Sequence, residues 1–328
     1  MSDRVLNWGL LSTARINRAL IPALKGSKRN RLLAVASRSM DAAEAYARQW
    51  KIKRALGSYE ALLSDPEVDV IYNSLPNHLH AEWSIKALRA GKHVLCEKPL
   101  ALTLDDVDAM QEAVKESGKV LAEAFMYRHH PVTLKAKEIV DRRQLGRLQF
   151  IRGAFTYTLR REGDIRSKKE TGGGSIWDVG CYPISYARML TGTDPVEAFG
   201  WQVLGAAGVD NMFAGELKFP NDVYAQFDSS LVSPSRSFME IVGQDGVLFV
   251  PTPFKPKPVD EILVTRGEKT ERIEIWGGEL YIGEVEDMAD AVLLGKPPRI
   301  SLADSRGTIA VILGLIESAE NGSVISLG

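Results

Sequence analysis

Apolar residues in the first third of the chain fall in short unbroken runs, each followed by a stretch where they recur every three or four positions. Val5–Trp8, Arg31–Ser37, Val68–Ser74 and Lys92–Cys96 are runs of the first kind and predict buried strands. Ile16, Ala19, Leu20 and Ala23 have the second spacing and predict a helix. Strand and helix alternate in this way up to Glu123, the pattern of a parallel, doubly wound sheet.

After Glu123 the pattern changes. Ala124–Pro131 reads as a linker into a helix over Val132–Arg143. From Leu148 the runs 149–158, 196–204, 212–219, 223–231, 238–242, 246–250, 261–264 and 270–276 alternate in part, and Gly, Asn, Asp and Pro separate them. Pro220-Asn221-Asp222 and Gln244-Asp245-Gly246 read as hairpin turns. Helices over Glu279–Leu294 and Leu302–Asn321 follow. The expectation is an α/β chain of two domains. Residues 1–123 form a doubly wound parallel sheet, and 124–328 form an α+β domain with a large, mostly antiparallel open sheet. The 328 residues suffice for two cores.

Composition narrows the classes without choosing among enzymes. With 25% charged residues and a net charge of −1, neither nucleic acid nor an anionic membrane is an expected partner. No apolar run approaches the ~20 residues that span a bilayer. The opening M-S-D-R-V-L-N-W-G lacks the charged start and apolar middle of a signal peptide. Two cysteines, Cys96 and Cys181, cannot build a disulfide scaffold and read as small buried hydrophobes in a reducing compartment. A cytoplasmic protein is expected.

Chemistry concentrates at strand ends. In Gly91–Thr103, G-K-H-V-L-C-E-K-P-L-A-L-T, Pro99 has no N–H for a ladder and stops the strand. Glu97 and Lys98 are thereby left at the carboxyl edge of a sheet, where open α/β folds bind ligands. Thr103 is placed to cap the next helix, with Asp106 three residues on. The turn Gly9-Leu10-Leu11-Ser12-Thr13-Ala14 keeps only the first glycine and the final alanine of the dinucleotide fingerprint G-x-G-x-x-G/A. Ser12 and Thr13 offer hydroxyl donors to a phosphate in partial replacement. Ser37-Arg38 stands where an NAD enzyme usually puts a carboxylate, so a 2′-phosphate would be bound there and NADP is preferred over NAD. A solvated Arg38, or one stacked on adenine, would admit either cofactor. Ser74-Leu75-Pro76-Asn77 closes the third strand, and Asn77 is placed to cap a helix running to Ala90.

A second motif lies in the second domain: Gly172-Gly173-Gly174-Ser175-Ile176-Trp177-Asp178-Val179-Gly180-Cys181-Tyr182-Pro183. Asp178 and Tyr182 share a helical face if the turn is regular, and Pro183 is where a kink would fall. The charged loop before it, Leu159–Glu170, is a solvated segment or a polar wall for a substrate. Hydride transfer at a carbinol carbon needs a group to take the hydroxyl proton. A phenol with pKa near ~10 does so only beside a cation that lowers it. Lys98 and Tyr182 are the expected pair, with Asp178 orienting the site or holding Lys98 charged. The alternative for each is a strand-end lysine and a core aromatic.

Taken together, Glu97-Lys98-Pro99, Trp8–Ile16, the Pro76-Asn77…His80 arrangement, Met126-Tyr127-Arg128, the glycine run with Tyr182, Tyr281–Asp287 and Glu317–Gly322 resemble the Gfo/Idh/MocA oxidoreductases. The likeness is to the glucose–fructose oxidoreductase, dihydrodiol dehydrogenase and D-xylose dehydrogenase branches. Tyr182 stands where the family's usual form has histidine. The resemblance implies a Rossmann domain and an NAD(P)-dependent oxidation or reduction of a sugar, polyol or cyclic diol. It implies a cofactor lying along Gly9, Ser12, Thr13, Ala14, Arg15, Ile16, Ser37, Arg38, Ser74, Leu75, Pro76, Asn77 and Glu97-Lys98. His80 is implied there too, as a packed histidine behind that backbone. Arg128 is implied to touch the cofactor or the active-site wall, and Tyr281 to face the nicotinamide pocket. Arg166 is the first candidate for a polar substrate contact. Trp177, Phe155 and Tyr157 offer faces to a ring, and core packing explains them equally well. Assembly as a homodimer or higher homo-oligomer through the C-terminal sheet is implied by the same likeness. His129 and His130 lack a second ligand pair at metal spacing, so no metal is expected. Two other readings stay open: a cofactor-binding regulator without turnover, and a glycoside-cleaving or sugar-transfer enzyme using transient oxidation.

Overall fold

The computed structural model describes residues 4–328. The expected absence of a leader begins on residues 1–3, which lie outside the described residues.

The first sheet is built from β1 (Leu6–Leu11), β2 (Asn30–Ala36), β3 (Arg54–Leu56), β4 (Val70–Asn73), β5 (His93–Glu97) and β6 (Leu121–Ala124). Between them run α1 (Asn17–Gly26), α2 (Met40–Trp50), α3 (Tyr59–Leu63), α4 (His80–Arg89) and α5 (Leu104–Ser117). All pairings are parallel and the spatial order is β3-β2-β1-β4-β5-β6. This is the expected doubly wound fold, with its order reversing between β1 and β4. Leu10, Val35, Ile71 and Leu95 are buried, as continuous apolar strands covered on both faces require.

Local signals explain most boundaries. Thr103 Oγ1 accepts the Asp106 N–H at 3.1 Å and caps α5, as expected. Ser39 caps α2, accepting the Ala42 N–H at 3.4 Å. The expected cap at Asn77 is replaced. Asn77 opens a 3₁₀ turn (Asn77–Leu79), so it sits ahead of α4 and does not cap it.

The second sheet contains β7 (Leu148–Thr158), β8 (Glu197–Leu204), β9 (Asp210–Phe219), β10 (Val223–Ser230), β11 (Val232–Gly243), β12 (Val247–Val250), β13 (Val259–Arg266) and β14 (Lys269–Trp276). α6 (Pro131–Asp141) precedes β7, and α7 (Cys181–Thr191) lies between β7 and β8. After β14 come α8 (Ile282–Leu294), α9 (Leu302–Asn321) and the short strand β15 (Ile325–Ser326). The nine strands run in the order β14-β13-β12-β11-β7-β10-β9-β8-β15. Every pairing is antiparallel except β7 with β10. Asn221 and Asp222, at φ +63° and +59°, turn the β9–β10 hairpin. β11 starts six residues before the expected 238, because Pro234 hides the strand and sits within a register shift.

The chain forms two compact units, one of residues 1–126 with 281–305 and one of 127–280 with 306–328. Sequence reasoning placed one boundary at 123/124 and kept everything after it in the second domain. In the structure α8 returns to the first unit. Arg29, just before β2, binds Glu286 through Nε at 2.7 Å and Asp290 through Nη1 at 2.5 Å. An amphipathic helix does not state in its own residues which sheet it covers.

Candidate active site

In the first unit, the ends of β1 and β4 meet at the reversal of strand order. Ser12 Oγ lies 3.0 Å from Ser74 Oγ, and Asn17 Nδ2 donates to the Ser12 carbonyl at 2.8 Å. Ser12 has φ +147°, so it occupies the backbone position where a dinucleotide turn usually places its first glycine. The fingerprint therefore begins three residues later than the sequence comparison put it. Gly9 is inside β1, and a Cβ there would come within 2.7 Å of Leu62 Cδ1. Packing against Leu62 accounts for the glycine at this position. Thr13, Ala14 and Ile16 are half-buried and Arg15 is exposed ahead of α1, a turn of small residues leading into a helix N-terminus, which suits a pyrophosphate. Ser37 and the exposed Arg38 follow β2, where they suit a 2′-phosphate.

The strand end around Lys98 is pinned from several sides. Glu97 Oε1 accepts the Tyr72 hydroxyl, and Oε2 accepts the Lys98 N–H at 3.3 Å. Burial, followed by the Glu97 charge, raises the Tyr72 phenol well above its ordinary value, so Tyr72 stays a donor. Buried Glu123 accepts the Leu100 N–H at 2.8 Å. His80 is fully buried, with Nδ1 2.8 Å from the Pro99 carbonyl and Nε2 2.8 Å from the Leu75 carbonyl. Its ring thus spans the loops after β4 and β5, packed behind the strand-end backbone. Burial is the largest influence and takes the imidazole down to about 4. Leu75 is buried, and Pro76 and Asn77 lie half-buried at the same strand end. Tyr281 is buried in this unit, immediately before α8.

In the second unit, residues Ile176–Gly180 form a wide π turn that runs directly into α7. Cys181 N–H donates to the Ile176 carbonyl five residues back. Pro183 falls in the first turn of α7, where a missing N–H is tolerated, so the irregularity lies ahead of the proline and not at it. Asp178 and Tyr182 both face one side of β7. Tyr182 packs edge-on to Phe155 with ring centroids 5.2 Å apart, and Asp178 Oδ2 accepts the Tyr157 hydroxyl at 2.7 Å. Asp178 Oδ1 lies 3.1 Å from Arg166 Nε, and Arg166 Nη1 reaches Asp164 at 3.0 Å. The Asp178 charge is the main reason Arg166 holds its proton more tightly than usual. Burial, with Asp178 next, raises Tyr157, which therefore remains a donor to that carboxylate.

Tyr182 sits in an aromatic cluster. Tyr127 and Phe254 have centroids 5.5 and 5.4 Å from its ring, and Tyr127 also stacks on Tyr186 at 5.7 Å. Trp177 is buried in the π turn. Arg128 is buried and donates to Ser185 Oγ at 2.9 Å, on α7. Sequence reasoning missed Tyr72, Glu123, Phe254 and Asp210. The signals were weak: a tyrosine within an apolar strand, a glutamate at a buried strand end, an aromatic in the polar run Pro251–Pro258, and an aspartate at a strand start.

Residues 6–125 match an oxidoreductase family with an NAD-binding Rossmann fold, GFO/IDH/MocA, and residues 133–249 match the GFO/IDH/MocA C-terminal domain. The chain is 36% identical to D-xylose 1-dehydrogenase (NADP(+)) 2 of Haloferax volcanii over 98% of this chain and 99% of the relative. It is 34% identical to an uncharacterized oxidoreductase of Rhizobium meliloti over 97% and 98%. Among solved structures, a 3-ketoreductase from Actinomadura kijaniata, in complex with NADP and TDP-benzene, superposes with a TM-score of 0.91. That pair is 28% identical, covering 96% of this chain and 98% of the other. The same reductase has been solved with a lysine replaced by alanine and, separately, with a tyrosine replaced by phenylalanine.

Proposed function

The chain belongs to the GFO/IDH/MocA family of NAD(P)-binding oxidoreductases, and on that premise we propose that it is a sugar or polyol dehydrogenase that prefers NADP. Tyr182 is the group that exchanges a proton with the substrate hydroxyl. Lys98 is the cation that favours its phenolate form. Nicotinamide, when bound, supplies or accepts the hydride. Ser12, Thr13, Ala14, Arg15 and Ile16 hold the pyrophosphate, with Ser74, Leu75, Pro76, Asn77, Glu97, Arg128 and Tyr281 lining the rest of the cofactor site. Ser37 and Arg38 hold the 2′-phosphate. Arg166, fixed by Asp178, presents donors to substrate hydroxyls, and Phe155, Tyr157 and Trp177 wall the ring.

The observation that carries this reading is the number of buried groups spent on residues 97–100: Tyr72 holds the Glu97 carboxylate, His80 the Pro99 carbonyl and Glu123 the Leu100 N–H. A strand-end lysine that merely met solvent would gain nothing from so fixed a main chain. The named relatives act on a pentose and on a nucleotide-linked keto sugar, which favours a carbinol or carbonyl carbon of a sugar here. The test is a panel of aldoses, inositols and diols assayed with NADP(H) and NAD(H), alongside Lys98→Met and Tyr182→Phe. Both variants are expected to keep NADPH binding and lose about 10²-fold or more in kcat. Full turnover in Tyr182→Phe removes that residue from the chemistry. Absence of turnover on every substrate favours a regulator of the same fold.

A second copy of the chain is the proposed partner of the open face of the nine-stranded sheet. That face carries aromatic pairs, Phe199 with Trp201 at 4.4 Å and Phe150 with Tyr224 at 5.8 Å. Trp201 is 56% exposed. Opposite charges, Arg236 with Asp228 and Lys218 with Glu197, surround them and suit a self-complementary contact. Sedimentation of the wild type is expected to give a dimer or higher oligomer that Trp201→Glu dissociates. A monomeric wild type ends this part of the reading.

A further inference from the structure

Gly172-Gly173-Gly174 bends the chain where the helical segment bearing Asp178 and Tyr182 begins, with φ +74° at Gly172 and +119° at Gly174. A Cβ at Gly174 would lie 2.1 Å from Asp210 Oδ1, and one at Gly173 would lie 2.4 Å from the Arg166 carbonyl oxygen. Glycine is required because a carboxylate from the start of β9 and the backbone of the Arg166 loop both press on this bend. Asp210 is 5% exposed. Its Oδ2 accepts the Ser175 hydroxyl at 2.6 Å and the Ile176 N–H at 2.9 Å. The Ser175 hydroxyl lies also 2.9 Å from Ser229 Oγ, on β10.

The first N–H groups of a helix lack acceptors within it and form its positive end. Ser175 makes no side-chain cap to its own helix. The acceptor arrives instead from a strand more than 30 residues further along the chain. The groups facing the carboxylate from the bend, the helix start and its own strand are the Ser175 hydroxyl and N–H, the Ile176 N–H and the Asp210 N–H. They are donors and none is a cation. Burial is the dominant influence on the carboxyl and lifts it to about 6, partly offset by these bonds.

A folded value above the unfolded one means that the protonated form favours the fold. That stability is complete below the unfolded value of 3.8 and is lost as pH rises to about 6. Asp210 therefore works against global stability at neutral pH, whereas a local opening of 174–184, which withdraws the donors from a carboxylate still buried on β9, costs most when that carboxylate is ionised.

We infer that Asp210 is a positioning residue, a charged cap delivered from β9 that fixes the helix start carrying Asp178 and Tyr182. Its significance for turnover rests on the reading of Tyr182 as the proton-transfer group. The cap itself is read independently of any substrate. Hydrogen exchange of peptides covering 174–184 is followed by mass spectrometry in the full chain from pH 5 to pH 8, corrected for intrinsic rates.

In the wild type, protection of this segment should rise roughly fivefold as pH passes about 6, the scale of a charged cap. Asp210→Asn should show no step and stay at the acid level, with a thermal midpoint no lower than wild type. Ser175→Ala, which keeps the carboxylate, should retain the step with smaller amplitude. Two results overturn the inference: exchange in Asp210→Asn equal to wild type at pH 8, or loss of protection spread evenly over the second unit. If Asp210→Asn does not fold, a missing step in wild type or Ser175→Ala is decisive in the same direction. Full turnover of Tyr182→Phe would remove the catalytic reading and leave the exchange step untouched, so the two failures are distinguishable.

Discussion

The loop around Lys98 and the helix around Tyr182 are held by opposite means. Around Lys98 the restraints are directional and fall on main-chain atoms: the Pro99 carbonyl meets His80, and the Leu100 N–H meets Glu123. Around Tyr182 the restraints are rings, with Phe155, Tyr127 and Phe254 each about one ring diameter away and one charged cap upstream. A lysine has four flexible torsions, and only its backbone can be fixed by neighbours that leave its ammonium accessible. A tyrosine is rigid beyond two torsions, so packing its ring also aims its hydroxyl. The difference follows from the side chains and predicts different failures.

Phe254→Ala should have the largest effect. The ring is fully buried, and its loss should lower unfolding free energy by about 3–5 kcal/mol in urea titration. Unchanged stability would show that the rings around Tyr182 do not act as a core. The polar side should fail through pH. His80 has a folded value of about 4, below its unfolded 6.5, so its contribution is complete above 6.5 and is lost as pH falls toward 4. The loss is of order 3 kcal/mol for this fully buried group. His93 shifts the same way, also to about 4 and chiefly by burial, and adds to the acid limb. In His80→Gln the drop in stability between pH 6.5 and 4 should be clearly shallower than in wild type. A drop of equal depth would place the acid sensitivity elsewhere.

Much of this arrangement is legible in the chain. Continuous apolar runs mark β1, β2, β4 and β5, and Pro99 marks the strand end that presents Lys98. Turn residues mark the β9–β10 and β11–β12 hairpins. What escaped depends on contacts between distant residues. Gly9 looked like the head of a phosphate turn because it is a glycine near a strand end, yet Leu62 packing explains it and Ser12 takes the turn position. The partners of Asp178 were not legible either, since β7 and the Arg166 loop bring Tyr157 and Arg166 to its carboxylate from distant positions in the chain. The return of α8 to the first unit rests on Arg29, more than 250 residues away from its partners. Periodicity records which face of a helix is apolar and says nothing of whose surface covers it.

The parallel pairing of β7 with β10 has a consequence for how such a protein can diversify. Between those adjacent strands the chain leaves the sheet after β7 and rejoins it at β8, and this detour contains the Arg166 loop, the glycine bend and Tyr182. Because lengthening a detour adds only slowly to the entropy of closing it, insertions there leave the register of both central strands intact. New substrate preferences can therefore be written into one excursion of the chain while the platform beneath it keeps its shape.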